Sequence, residues 1–151
     1  MTLITIYKIE RTGYFLHGNQ KTESGIRIAC DPFVRSMVDT EGLIEVAETL
    51  KKYLDINISH RAKDIKDWTE FRRNFFEKAG LNSRKLLSKL STRCVHVAKT
   101  DNNYIFSPTY HDPGDSSGYM GKAKEENIVI PATVSVMELT TSLTAAFDRC
   151  N

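Results

Sequence analysis

The stretch Arg93–Thr109, with the sequence RCVHVAKTDNNYIFSPT, decides the fold class of this chain. In its first half, Val95 and Val97 alternate with less apolar neighbours, and a period of two is typical of a β-strand with one buried face. The Asp-Asn-Asn run at 101–103 tolerates the left-handed backbone of a tight turn. The residues from Tyr104 onward then form a returning strand. The stretch therefore predicts an antiparallel hairpin.

A helix over 67–79 is predicted before this hairpin. Asp67 and Glu70 have the spacing of a capping box, and Gly80 is a stop signal for the helix. Aromatic residues recur at helical spacing between these signals, and we expect them to be packed core: Trp68, Phe71 and Phe75. A short third helix is predicted to begin at Asn82 or Ser83 and to carry Leu86, Leu87 and Leu90 on its apolar side.

The two ends of the chain supply the remaining elements. Strands are predicted over 3–9, 14–16, 25–30 and 127–130, and helices over 40–54 and after Ser135. Pro32 is expected to close the third of these strands, because proline interrupts a ladder of hydrogen bonds. The order of elements lacks the regular alternation of parallel βαβ units. We therefore predict a single α+β domain over 1–151, with a largely antiparallel sheet packed against about four α-helices.

Composition and charge exclude several classes of protein. The 151 residues are 40% hydrophobic and 26% charged, which is typical of a globular protein and excludes a disordered chain. The net charge of +2 does not require a nucleic-acid or membrane partner. No apolar run approaches the ~18 residues of a membrane span, and the first residues lack the pattern of a signal peptide. We therefore expect a cytoplasmic protein with reduced thiols at Cys30, Cys94 and Cys150.

No motif with a strong catalytic or metal-binding meaning is present. The Walker loop, the Gly-rich dinucleotide loop, the nucleophile elbow and the H-E-x-x-H zinc motif are all absent. No two histidines are three or four residues apart, as a helical metal site requires. A general base at His111, beside Asp112, is the enzymatic alternative, but no nucleophile accompanies it in the sequence. We expect no catalytic residue, no cofactor and no metal.

Positive charge is concentrated in the middle of the chain. Residues 61–93 carry an excess of six positive charges, whereas 94–151 carry an excess of three negative ones. Solvated helix surface is the ordinary explanation of such a basic segment. The alternative is a helix-turn-helix-like regulator that uses 67–93, because the turn at Gly80 resembles that motif. The nearly neutral chain argues against this alternative, and we expect no nucleic-acid partner.

Several segments taken together resemble one bacterial family. They are GIRIACDPF at Gly25–Phe33, EKAGLNSRKLLSK at Glu77–Lys89, the strand with Val95 and Val97, SPT at Ser107–Thr109, and MELTTSLTAAFDRC at Met137–Cys150. In order and separation they are similar to the immunity proteins of contact-dependent growth inhibition systems. These proteins bind and neutralise the C-terminal toxin domain of a large secreted adhesin. The chain departs from the family over Tyr110–Lys124 and at Gly42, where a better helix former is expected.

This resemblance implies a cytoplasmic inhibitor, of the type called CdiI, without enzymatic activity. It implies the cognate toxin domain as the partner, with no role for a membrane. In much of this class the toxin is an RNase that acts on tRNA or other RNA. A toxin that binds RNA is basic, so its inhibitor would present carboxylates that attract it.

The segment 110–126 is the candidate toxin-binding site. It is the longest stretch without a periodic pattern, so we expect an exposed loop, and loops on a rigid scaffold commonly carry recognition. Its rings and carboxylates suit an interface with a basic partner. These candidate residues are Tyr110, His111, Asp112, Asp115, Tyr119, Glu125 and Glu126. The alternative is a flexible excursion without a role, in which case the exposed glutamates of the first helix, at 41, 45 and 48, are the next candidates.

Overall fold

Seven strands and four α-helices make up the described part of the computed structural model, which comprises residues 2–55, 60–81 and 85–151. The strands are β1 (Thr2–Ile9), β2 (Gly13–Lys21), β3 (Arg27–Ser36), β4 (Arg93–Lys99), β5 (Asn103–Asp112), β6 (Asp115–Gly121) and β7 (Ile128–Pro131). The helices are α1 (Thr40–Tyr53), α2 (Trp68–Ala79), α3 (Lys85–Ser88) and α4 (Val136–Asp148), with a 3₁₀ turn at Lys124–Glu126. The predicted α+β class is confirmed.

All named strands belong to one antiparallel sheet. Its order is β3-β2-β1-β4-β5, so the hairpin that the sequence predicted, β4–β5, lies next to the central strand β1. The outer edge of β5 is shared by two partners: β7 pairs with residues 103–106 and β6 pairs with residues 109–112. The long β5 therefore supports both of the shorter strands that follow it.

The main hydrophobic core lies between one face of the sheet and the helices α1 and α4. The alternating residues Val95 and Val97 are fully buried there, as are Phe106 opposite Val97 and the central residue Ile6. The helices contribute Val46, Ala47, Leu50, Leu139, Leu143, Ala146 and Phe147. Both predicted helices are confirmed, and their apolar stripes face the sheet.

Side-chain caps position these two helices. The Asp39 side chain accepts a hydrogen bond from Gly42 N at 2.7 Å, and the Ser135 side chain accepts one from Glu138 N at 3.2 Å. Gly42 itself is explained by packing, since a β-carbon there would lie 1.7 Å from the carbonyl oxygen of Met37. The close approach of the preceding loop therefore requires glycine in the first turn of α1.

Pro32 does not close β3, which is a correction of the sequence prediction. The strand continues to Ser36, and its register against β2 shifts between His17 and Gly18. At this shift Asp31 and Pro32 are not paired with any residue of β2. Because β3 is an edge strand, the missing amide of proline leaves no neighbouring strand without a partner.

The expectation that the aromatic stripe of α2 is packed core is wrong for much of its length. Trp68 is 37% exposed, Phe71 and Phe75 are half-buried, and Ala79 is the fully buried residue of this helix. A smaller cluster of Ile9, Phe15, Ala79, Leu81 and Leu87 fills one end of the second sheet face. Beneath the start of α2 this face carries polar side chains, so the aromatic rings there cannot pack into an apolar layer.

The third helix ends earlier than the sequence predicted. Its predicted start at Asn82 or Ser83 lies outside the described residues, and its described part is α3, with Leu87 buried against the second sheet face. Leu90 lies beyond the end of α3 and is 75% exposed, so its predicted place on the apolar side is wrong. Helix α2 ends as predicted, with Gly80 in the left-handed conformation at φ 66°.

Candidate functional site

The segment 110–126 forms a β-hairpin and a 3₁₀ turn, whereas the sequence predicted an aperiodic loop. Strands β5 and β6 pair with Tyr110 opposite Met120 and His111 opposite Tyr119. The sequence of β6 is rich in glycine and serine and does not alternate, so no strand was predicted there. The edge of β5 supplies the hydrogen-bonding groups that order β6. The candidate residues therefore lie on a structured surface.

His111 and Tyr119 face inwards, towards α3. The Nε2 atom of His111 lies 2.7 Å from the carbonyl oxygen of Thr92, and the Tyr119 hydroxyl donates a hydrogen bond to the carbonyl oxygen of Leu87. Their rings are 4.6 Å apart, and Tyr119 packs edge-on against Tyr7 at 5.6 Å. Burial raises the pKa of Tyr119, which keeps its hydroxyl a neutral donor. These two rings attach the hairpin to the body of the protein.

Tyr110 and Met120 occupy the opposite face of the same hairpin. Neighbouring residues in a strand point to opposite sides, so this cross-strand pair lies away from His111 and Tyr119. Met120 is 45% exposed and Tyr110 is half-buried. The pair forms a small amphipathic patch with rigid backbone support, which is the geometry of an interface anchor.

The four candidate carboxylates fall into two groups. Asp112 and Asp115 flank the hairpin turn, where Asp112 Oδ1 accepts a hydrogen bond from Gly114 N at 2.8 Å. Glu125 and Glu126 are exposed in the 3₁₀ turn, and Glu126 Oε2 lies 3.5 Å from Lys122 Nζ. The two groups lie at opposite ends of β6, on the order of 20 Å apart for a strand of this length. The structure therefore does not bring all of these residues into one cluster.

A second candidate surface was missed by the sequence analysis. Thr5 of β1 pairs with both His17 and His96, and His96 in turn pairs with Ser107. These four polar residues form one row across adjacent strands, on the sheet face opposite the main core. In each strand the sequence shows a polar residue next to apolar ones. The strand order, which the sequence does not show, places these polar residues in one row.

The two histidines of this row are held neutral by their surroundings. His17 is 5% exposed, and its Nδ1 donates a hydrogen bond to the carbonyl oxygen of Gly18 at 2.7 Å. Burial lowers the pKa of His17 to about 4, and burial together with the charge of Arg27 lowers the pKa of His96. His96 Nδ1 lies 3.1 Å from Thr5 Oγ1, so this half-buried histidine has a partner.

The described residues contain no cluster of three or more metal-ligating side chains. Cys94 and Cys150 are buried and Cys30 is half-buried, and all three are free thiols whose pKa is raised by burial. Within the described part of the chain, no helix is long and apolar enough to cross a bilayer.

The basic segment does not form a complete helix-turn-helix unit in the part that the structure describes. A recognition helix must reach the major groove, but described α3 has four residues and is held by the Tyr119 hydrogen bond at Leu87. Arg84 lies outside the described residues. Lys85 is the first residue of a helix that packs on the sheet and Lys89 follows its last residue, so the structure does not favour this alternative.

No protein-family model and no curated protein matches this chain. Among solved structures, the fold is similar to NMB0488 of Neisseria meningitidis, a protein of unknown function, with a TM-score of 0.71 and 15% identity over 99% of this chain and 95% of the other. It is also similar to a chain of the CdiA-CT/CdiI toxin and immunity complex from Yersinia pseudotuberculosis, with a TM-score of 0.64 and 16% identity over 99% of this chain and 97% of the other. The chain thus has, over its full length, a fold that occurs in a toxin–immunity complex.

Proposed function

We propose that this chain is an immunity protein that binds and neutralises the toxin domain of a contact-dependent growth inhibition adhesin. The observation that carries the proposal is the full-length similarity in fold to a chain of a toxin and immunity complex. The sequence resemblance, which was drawn from the order of five segments, supports the same family. The protein would act in the cytoplasm, by binding and without catalysis.

The outer surface of the β5–β6 hairpin is the proposed toxin contact. It combines the amphipathic pair Tyr110 and Met120 with carboxylates at Asp112 and Asp115. Because strand pairing holds this surface in place, binding would cost little conformational entropy. Glu125 and Glu126 would form a second, separate contact beyond the other end of β6, where Glu126 is paired with Lys122. His111 and Tyr119 are assigned a positioning role, since their polar groups bond to the carbonyls of Thr92 and Leu87.

The toxin that fits this surface is a basic, RNA-cleaving domain. Residues 110–126 carry four carboxylates and two lysines, so the region is acidic although the whole chain is not. Charge complementarity of this kind speeds encounter with a basic partner and disfavours acidic ones. The inhibitor would then occupy a surface that the toxin uses for RNA phosphates.

Growth protection tests the function directly. We expect the cognate toxin gene to lie immediately upstream of this one, and its toxin domain is induced in cells that also express this chain, in cells that express an unrelated immunity protein, and in cells with neither. We expect growth and intact cellular RNA only with this chain. Growth arrest in cells that hold soluble chain in excess over the toxin would reject the proposed function. If this chain restores growth but the toxin leaves cellular RNA intact, the immunity function is supported and the assignment of the toxin as an RNase is rejected.

A further inference from the structure

An open cleft of about 370 Å³ lies between the second face of the sheet and α2. We call it the α2 cleft. Its floor includes the polar row residues Thr5, His17 and His96, and its wall includes the α2 aromatics Trp68 and Phe71. Its volume is in the range of pockets that hold small molecules. The cleft is on the other side of the sheet from the main core and is separate from the outer surface of the β5–β6 hairpin.

The floor of the α2 cleft presents an unused hydrogen-bond acceptor. Since His17 Nδ1 faces a carbonyl oxygen, Nδ1 must carry the proton and Nε2 must hold the lone pair. No described residue bonds to Nε2, and none of the fully buried side-chain nitrogens or oxygens in the described part lacks a partner. The Nε2 atom is therefore reached from the cleft that His17 lines. The lowered pKa of His17 keeps this acceptor available at neutral pH.

The mouth of the α2 cleft is cationic and aromatic. Arg27 and Arg72 line it, no acidic residue does, and neither arginine forms an ion pair with a described residue. Trp68 and Phe71 stand beside them edge-to-face, with ring centroids 5.7 Å apart. Arginines bind anionic groups through several donors, and exposed aromatic rings favour contact with another planar ring. The same space thus offers three complementary features for one ligand.

We propose that the α2 cleft binds a small ligand that carries a planar ring with an N–H or O–H donor and, beyond the ring, an anionic group. The ring lies against Trp68 and Phe71, its donor bonds to His17 Nε2, and the anionic group is held by Arg27 and Arg72. An aromatic hydroxyacid and a purine mononucleotide share this chemistry. The proposal is independent of toxin binding, because it uses no residue of the β5–β6 hairpin.

Trp68 allows a direct test, because it is the single tryptophan of the chain and lies in the cleft wall. Its fluorescence is followed while the protein is titrated with 4-hydroxybenzoate and with adenosine monophosphate. The neutral counterparts 4-hydroxybenzamide and adenosine test the anionic group, and benzoate tests the ring donor. In parallel, the imidazole nitrogen resonances of His17 report on Nε2 without any substitution.

Arg72→Met and Arg73→Met form a matched pair of variants. Both residues are on α2, but Arg73 does not line the cleft, is paired with Glu70 at 3.9 Å and has a side chain 66% exposed. We expect binding at about 1 mM or below, about tenfold weaker binding in Arg72→Met, and unchanged binding in Arg73→Met. The tighter of the two anionic probes identifies the ligand class.

Three results would overturn the proposal. One is a neutral counterpart that binds as tightly as its anion. Another is equal affinity in the Arg72→Met and Arg73→Met variants. The third is an unchanged Trp68 emission and an unchanged His17 Nε2 resonance up to about 10 mM of both anionic probes.

Discussion

The Tyr119 hydroxyl is one polar group that connects the hairpin to α3. Its hydrogen bond to the carbonyl oxygen of Leu87 is lost in Tyr119→Phe, and a half-buried carbonyl is left without that partner. We expect the free energy of unfolding, measured by urea denaturation, to fall by about 1 kcal/mol. Tyr110→Phe is the control, because the Tyr110 hydroxyl makes no hydrogen bond with a described residue. Loss of toxin binding in Tyr119→Phe at parental stability would instead make Tyr119 a contact residue.

His17 gives the protein a stability that depends on pH. Its pKa is about 4 in the folded state against 6.5 for the free side chain, so between these values the unfolded chain binds the additional proton. The contribution of His17 to the free energy of unfolding is therefore complete above pH 6.5. It is lost as the pH falls towards 4, by up to about 1.4 kcal/mol per pH unit. Urea denaturation across this range should show a shallower decline for His17→Asn. An identical slope in the variant would show that His17 titrates normally.

At the scale of the element, α2 is a helix whose two ends differ in burial. Phe75 contacts the rings of Phe15, His17 and Phe33 at 5.6, 5.5 and 6.4 Å, whereas the ring partner of Trp68 is Phe71, on the same helix. Phe75→Ala should lower the free energy of unfolding by about 2 kcal/mol, and Trp68→Ala by less than about 1 kcal/mol. Equal losses, measured by denaturation, would mean that the whole stripe is core, as the sequence had indicated.

The β5–β6 hairpin is the element on which the proposed interface depends. Asp112→Asn with Asp115→Asn removes two charges and keeps an acceptor for Gly114 N. We expect toxin association, followed by stopped-flow fluorescence at low salt, to slow by about threefold and to lose part of its salt dependence.

A matched control for the hairpin variant is Glu41→Gln with Glu48→Gln, which removes two charges from the exposed side of α1. It should leave the association rate nearly unchanged. Equal slowing by both double variants would indicate a diffuse field instead of a local hairpin contact. Slowing by the α1 variant alone would move the interface to that helix.

Elements with two independent signals were predictable from the sequence. Helix α1 has both the Asp39 cap and an apolar stripe, and the β4–β5 hairpin has both the alternation of Val95 and Val97 and a turn of small polar residues. Strand β6 has neither, because its glycines and serines show no periodicity and its order derives from the edge of β5. Local patterns thus failed where the edge of the neighbouring strand supplies the hydrogen bonds.

At the scale of the whole molecule, strand order decides which residues meet. The seven candidate residues of 110–126 were chosen by their nearness in sequence, yet the hairpin turns two of them inwards and separates the carboxylates into two groups. The row of Thr5, His17 and His96 is the reverse case, since its members are far apart in sequence. A site that is built from cross-strand neighbours cannot be predicted from the sequence of one strand alone.

Calorimetric titration measures whether this chain binds a toxin domain. The purified chain is titrated into a catalytically inactive form of the toxin domain encoded upstream, with the toxin domain of an unrelated adhesin as the control. We expect a one-to-one complex with the cognate domain, with a Kd of about 1 µM or tighter, and no binding to the control. Absence of binding to the cognate domain at about 50 µM of each folded protein would contradict this expectation.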